Sequence, residues 1–132
     1  MRFLLDTHVL IRWCQADRGL PASQRRAIRR GSAENPLLVS DISLWEVATL
    51  HALGRIRLLL PLREWLDRAT APPLVTRCGI SPAVATEVAA LPQSFQRDPA
   101  DRIIVATARV LGATLLTSDA RIIDSELVPT LS

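Results

Sequence analysis

The sequence predicts an α/β fold on a central, mostly parallel sheet of about four to five strands. Short apolar runs alternate with stretches of helical spacing along almost the whole chain. No repeat, low-complexity tract or linker interrupts that alternation, so the 132 residues read as one domain, residues 1–132. A chain of this length buries roughly two-thirds of its unfolded surface without disulfide or metal staples.

The elements follow in order. "RFLLD" is a buried first strand ending at Asp6, and "THVLIRWCQA" continues at helical spacing. "LPASQRRAIRRG" predicts a helix from near Pro21, closed by Gly31. "PLLVS" is the second strand, and "SLWEVATLHALG" carries a helix from Ser43 to Gly54. A further helix covers "LREWLDRAT", between Pro61 and the Pro72-Pro73 break, before the strand "LVTRCGI". "SPAVATEVAAL" is a helix with Ser81 as cap and Pro82 at its first position. "DPADRIIVATARVLG" is the longest helix, with Asp98 as cap. "ATLLTSD" is a strand ending at Asp119, followed by a short turn or helix and the weak strand "LVPTL".

Composition narrows the function. With 48% hydrophobic and 22% charged residues the chain is not a disordered tail. No apolar run approaches the ~20 residues of a membrane span, and "MRFLLDTHVLIRWCQADRG" lacks a small-residue cleavage site, which reads as cytoplasmic with no membrane role. Cys14 and Cys78 lie far apart without a CxxC, so they read as small buried hydrophobes and not as zinc or disulfide sites. All 16 basic residues are arginine. A lysine-free chain excludes a usual P-loop and a Schiff-base lysine, while arginine still grips phosphate. The net charge of +3 is weak support for a nucleic-acid partner.

The carboxylates carry the chemistry. In parallel sheets ligands bind outside the carboxyl ends of the strands. Asp6 and Asp119 should emerge together at that edge. Glu46 is the only charge in "ISLWEVATL", and a carboxylate there must be exposed, capping, protonated or paired. Ser43 and Glu46 spell the S-x-x-E capping box. Asp98 and Asp101 repeat that spacing, with Asp101 placed to reach back to the cap's N–H. If both helix starts lie at the Asp6–Asp119 edge, four carboxylates converge and must protonate or hold a divalent cation. An all-oxygen donor set favours Mg²⁺ or Mn²⁺ over zinc, and an open site of that kind suits phosphodiester hydrolysis.

These pieces, "LLDTHVLIRW", "ISLWEVATLHALGRIRL", "DPADRIIVATA" and "ATLLTSD", occur in order across nearly the whole chain. In that order the chain resembles the PIN-domain ribonucleases, most closely the VapC toxins of bacterial toxin–antitoxin pairs. The resemblance implies a PIN-like α/β/α sandwich, an Mg²⁺- or Mn²⁺-dependent endoribonuclease, and Asp6, Glu46, Asp101 and Asp119 as the acidic metal-site residues. Asp98 matches the first acid of the family's D-P-x-D-R pattern. The resemblance also implies an RNA substrate, a cognate antitoxin that pushes a tail into the acidic groove, a homodimer, and products with 5′-phosphate and 3′-hydroxyl ends.

The surrounding residues are candidates for support or substrate contact. Thr7, Thr117 and Ser118 could orient water or a carboxylate, or simply cap turns. His8 is a first-turn structural or substrate-contacting residue, and His51 a partly buried surface residue. Arg102 could neutralise a neighbouring carboxylate or touch an RNA phosphate, and Arg55 and Arg57 could hold the strand backbone. "RRAIRR" reads first as a solvated face, and Trp13, Trp45 and Trp65 as core or interface packing. Receiver-like and dehalogenase-like phosphotransfer domains need a lysine, and "DTH" lacks the second acid of D-x-D. The remaining alternative is a non-catalytic binding domain whose carboxylates are helix caps.

Overall fold

Five strands form one sheet in the order β3-β2-β1-β4-β5, and every neighbouring pair is parallel. The structure is a computed structural model and describes all 132 residues. The chain runs β1 (Phe3–Leu5), α1 (Thr7–Cys14), α2 (Ala22–Arg29), β2 (Leu37–Ser40), α3 (Asp41–Ala52) and α4 (Leu62–Ala69). It continues through β3 (Val75–Cys78), α5 (Pro82–Ala90), α6 (Pro99–Leu111), β4 (Thr114–Leu116), α7 (Ala120–Ser125) and β5 (Thr130–Leu131). No helix is long and apolar enough to cross a membrane.

Strand side chains alternate between faces, and here both faces are covered. Phe3, Leu5, Leu37, Val39 and Leu116 pack with Val9, Leu10, Ile28, Val47 and Trp65 in one core. Leu4, Leu38 and Leu115 point the other way and pack with Val84, Ile104, Val105 and Ile122 in a second core. The sheet is therefore the middle layer of an α/β/α sandwich, which is why its strands read as unbroken apolar runs.

Several boundaries differ from the sequence reading. α3 begins at Asp41, with Ser40 as its cap: the Ser40 hydroxyl accepts the Ile42 N–H at 3.2 Å. Strand β2 thus passes directly into the helix, and Ser43 lies inside it, fully buried. The Ser43–Glu46 capping box does not form, because a nearer hydroxyl takes the capping position. β4 stops at Leu116, short of Asp119, which instead caps α7. Asp98 does cap α6, its Oδ1 accepting N–H groups from Ala100 at 2.9 Å and Asp101 at 3.3 Å. The three tryptophans divide: Trp65 is core, Trp13 is half-buried, and Trp45 is 59% exposed on α3. Cys14 is exposed and Cys78 only half-buried, so neither is the buried hydrophobe expected. His51 is exposed.

Gly112 ends α6 in the left-handed region at φ 62°, its N–H bonded to the Arg109 carbonyl. A Cβ there would meet nothing within 4 Å, so the cost of a side chain is backbone strain alone. Gly112→Ala is expected to destabilise the protein by about 1 kcal/mol and lower Tm by roughly 3–5 °C in thermal unfolding.

Candidate active site

Parallel pairing brings all five strand ends to one edge. Strand order switches at β1, whose neighbours β2 and β4 lie on opposite sides, and a crevice opens outside such a switch point. Asp6 follows β1 and is 5% exposed. Its Oδ1 accepts the His8 N–H at 3.0 Å, capping α1, and its Oδ2 accepts the Thr117 hydroxyl at 2.6 Å. Thr117 is fully buried just past β4, and its oxygen in turn accepts the Asp119 N–H at 3.1 Å. One hydroxyl thus ties the ends of two central strands and sets both aspartates. Donors to a carboxylate make charge-assisted hydrogen bonds, about twice as strong as neutral ones.

Thr7 does the same for α3. Its Oγ1 lies 2.5 Å from Glu46 Oε1 and 2.8 Å from Ser43 Oγ. A hydroxyl has one proton and an ionised carboxylate only accepts, so Thr7 donates to Glu46 and receives from Ser43. Ser43 and Glu46, three residues apart, share a face of α3. Ser43 was missed as a site residue in the sequence reading. The signal for it is Ser40 at the end of an apolar run, which moves the helix start back and turns Ser43 inward.

The longest helix, α6, presents Asp98 and Asp101 at its start. The Asp101 carboxylate makes no hydrogen bond back to the cap, and it is only partly exposed. Its pKa is pushed up to about 7, first by burial and then by the charges of Asp98, Asp6, Glu46 and Asp119. Glu46 is also raised, chiefly by burial, against the lowering effect of the Thr7 hydrogen bond and with Asp6 and Asp98 adding to the rise. These mutual effects are the electrostatic signature of five acids sharing one edge.

Other residues singled out in the sequence stand differently. Arg102 neutralises no carboxylate: its guanidinium donates to the carbonyls of Pro92, Phe95 and Gln96 through Nη1, and of Val88 and Leu91 through Nη2, at 3.3–3.4 Å. It lies over the Phe95 ring, 6.0 Å from the centroid. It ties the end of α5 to the following loop, because orphan helix carbonyls attract a cation. Arg55 and Arg57 are exposed beyond the far end of α3. His8 is exposed in the first turn of α1 and lowers the Glu46 pKa. Ser118 is exposed and its hydroxyl lies 3.4 Å from Gln24 Nε2.

The donor set can be weighed for a metal. All five groups are hard oxygens, and Asp98 Oδ2, Glu46 Oε2, Asp119 Oδ2 and both Asp101 oxygens accept no hydrogen bond from the protein. No three of them stand at chelating distance around a common point. An ion here would complete its shell with water. That suits Mg²⁺, which usually keeps several waters and takes one or two carboxylates, better than the closed nitrogen–sulfur sets of zinc.

Comparison with known proteins decides the family. The PIN-domain family model matches residues 3–125. The chain belongs to the PIN-domain family. Ribonuclease VapC22 of Mycobacterium tuberculosis is 40% identical over 119 residues, 90% of this PIN-domain chain and 88% of the relative. Among solved structures, VapBC2 from Rickettsia felis, bound to a promoter DNA fragment, matches with TM-score 0.73 and 16% identity, covering 99% of this chain and 98% of the other. FitAcB from Neisseria gonorrhoeae matches with TM-score 0.69 and 22% identity over 98% and 96%. At these identities the likeness shows the shared PIN-domain fold.

Asp101 sets a pH dependence. Its folded pKa of about 7 stands above the ordinary 3.8, so the folded state holds the proton more tightly. The resulting stability is complete below about pH 4 and is lost as pH rises through about 7. In EDTA, Asp101→Asn should therefore unfold roughly 3–5 °C above wild type at pH 8, about 1 kcal/mol after allowance for part exposure. The two should coincide at pH 4; equal Tm values at pH 8 would contradict the raised pKa.

Proposed function

We propose that this chain is a divalent-metal-dependent endoribonuclease and the toxin of a toxin–antitoxin pair. The observation that carries the reading is the acid edge: five carboxylates at the sheet's switch point, in a PIN-domain chain 40% identical to a ribonuclease. Asp6, Glu46, Asp101 and Asp119 would hold Mg²⁺ or Mn²⁺, one or two of them directly and the others through its waters, with the free oxygen of Asp98 beside them. The bound metal would lower the pKa of a water, polarise the phosphoryl oxygen and stabilise the departing alkoxide, leaving 5′-phosphate and 3′-hydroxyl ends.

The chain's own residues supply orientation. Thr117 holds Asp6, and Thr7 backed by Ser43 holds Glu46, so neither carboxylate is free to swing away from its neighbours. The amino ends of α1, α6 and α7 lie at the same edge, where their first backbone N–H groups hold the Asp6, Asp98 and Asp119 carboxylates in place. The structural relative VapBC2 supports an antitoxin partner; the tail of such a partner would enter the acidic groove. A homodimer would cover Trp45, which stands 59% exposed on α3.

The capping-only reading has one observation in its favour: Asp6, Asp98 and Asp119 all cap helices. Capping leaves Glu46 and Asp101 unexplained, since neither caps a helix and both are pushed toward protonation by burial and by like charges. Catalysis explains all five.

Cleavage of RNA with Mg²⁺ or Mn²⁺ tests the proposal. Wild type should cut and EDTA should stop it, while Asp6→Asn and Asp101→Asn should lose the metal-dependent activity. Thr117→Val should lower metal affinity or activity roughly 10–100-fold. Undiminished cutting by Asp6→Asn, or in EDTA, would overturn the reading.

A further inference from the structure

Away from the carboxylates, Arg12 and Trp13 of α1, Arg18 of the α1–α2 connection, and Arg25 and Arg29 of α2 line one cleft of about 350 Å³. The ion pairs of this chain engage Arg63, Arg68, Arg77, Arg109 and Arg121, so none of the four cleft arginines has a carboxylate partner. The one acid in the cleft, Asp17, turns to its own backbone and accepts the Gly19 N–H at 2.7 Å. Helix dipoles account for Arg12 and Arg29, which lie in the last turns of their helices. They do not account for Arg18, in a loop, or for Arg25, in the first turn of α2, where the dipole disfavours a cation.

One wall of the cleft is α1, which is capped by Asp6 at the acid edge and carries Arg12 and Trp13 in its last turn. Gln24, next to Arg25, is fully buried, and its Nε2 donates to the Leu131 carbonyl at 3.1 Å and to Ser118 Oγ at 3.4 Å, beside Asp119. The half-buried indole of Trp13 adds an aromatic surface to the cationic wall. A positive groove with an aromatic platform is the combination that tracks single strands, and the guanidinium fork matches phosphate.

We infer that the cleft between α1 and α2 binds the sugar–phosphate backbone of single-stranded RNA and carries the strand to the acid edge. The inference rests on RNA being the substrate, and it adds where the strand lies. Arg18, Arg25 and Arg29 are exposed, so replacing them leaves the core intact.

Fluorescence anisotropy of a labelled single-stranded oligoribonucleotide, read in EDTA over a KCl series, tests the cleft without cleavage. Arg25→Ala with Arg29→Ala should make the plot of log K against log [KCl] shallower by about 1.4, at about 0.7 per phosphate contact on a single strand. Arg63→Ala with Arg68→Ala, on α4, should leave the slope unchanged. An unchanged slope in the Arg25/Arg29 variant overturns the inference. So does loss of binding to a polyglutamate peptide with RNA binding intact, since the cleft would then serve an acidic protein. If the slope falls as expected but wild type cuts no RNA with Mg²⁺ or Mn²⁺, the cleft stands and the catalytic reading falls. Metal-dependent cutting with an unchanged slope has the opposite meaning.

Discussion

Five carboxylates share one sheet edge and repel one another, and much of the surrounding structure serves to hold them there. Like charges at close range in a partly desolvated crevice either protonate, separate or attract a cation. Separation is blocked here. Asp6, Asp98 and Asp119 are each anchored by backbone N–H groups at a helix start, and Asp6 and Glu46 each receive a buried hydroxyl. What remains is the upward pressure on the Asp101 and Glu46 pKa values, set first by burial and then by the neighbouring negative charges.

Capping and chemistry therefore do not compete in this protein. A helix start supplies N–H groups and a positive dipole end, which lower the cost of keeping a carboxylate ionised away from water. Three helices with aspartate caps, begun at the same edge, form an acidic site almost as a by-product of how their first turns are satisfied. Asp101 is the exception that gives the site its character, since it has no such donor and faces four other acids. The arginines are distributed in a complementary way. Arg102 is spent on carbonyls behind α6, while those of the α1–α2 cleft are left free.

Much of the fold was legible in the residues. The strands were visible as apolar runs because both faces of the sheet are buried, and Ser81, Asp98 and Gly54 marked helix ends through local backbone geometry and hydrogen bonding. The misreadings also have physical causes. Ser43 and Glu46 match a capping box in spacing, but Ser40, at the very end of the apolar run, caps first and leaves Ser43 inside the helix. Trp45 sits in an apolar segment yet faces outward, because apolar character is shared by a core face and an exposed one. Arg102 lies next to Asp101 in the chain, but on a helix adjacent residues point in different directions.

The sequence by itself determined the α/β alternation, the helix caps and the set of acids available, all of which depend on contacts within about four residues of each other. Only the tertiary structure decided which acids meet. Asp6 and Thr117 are hydrogen-bonded across 111 residues, and Thr7 and Glu46 across 39. Those contacts follow from strand order, with β1 between β2 and β4. That order is set by packing helices on both faces of the sheet, a long-range condition that no local spacing encodes.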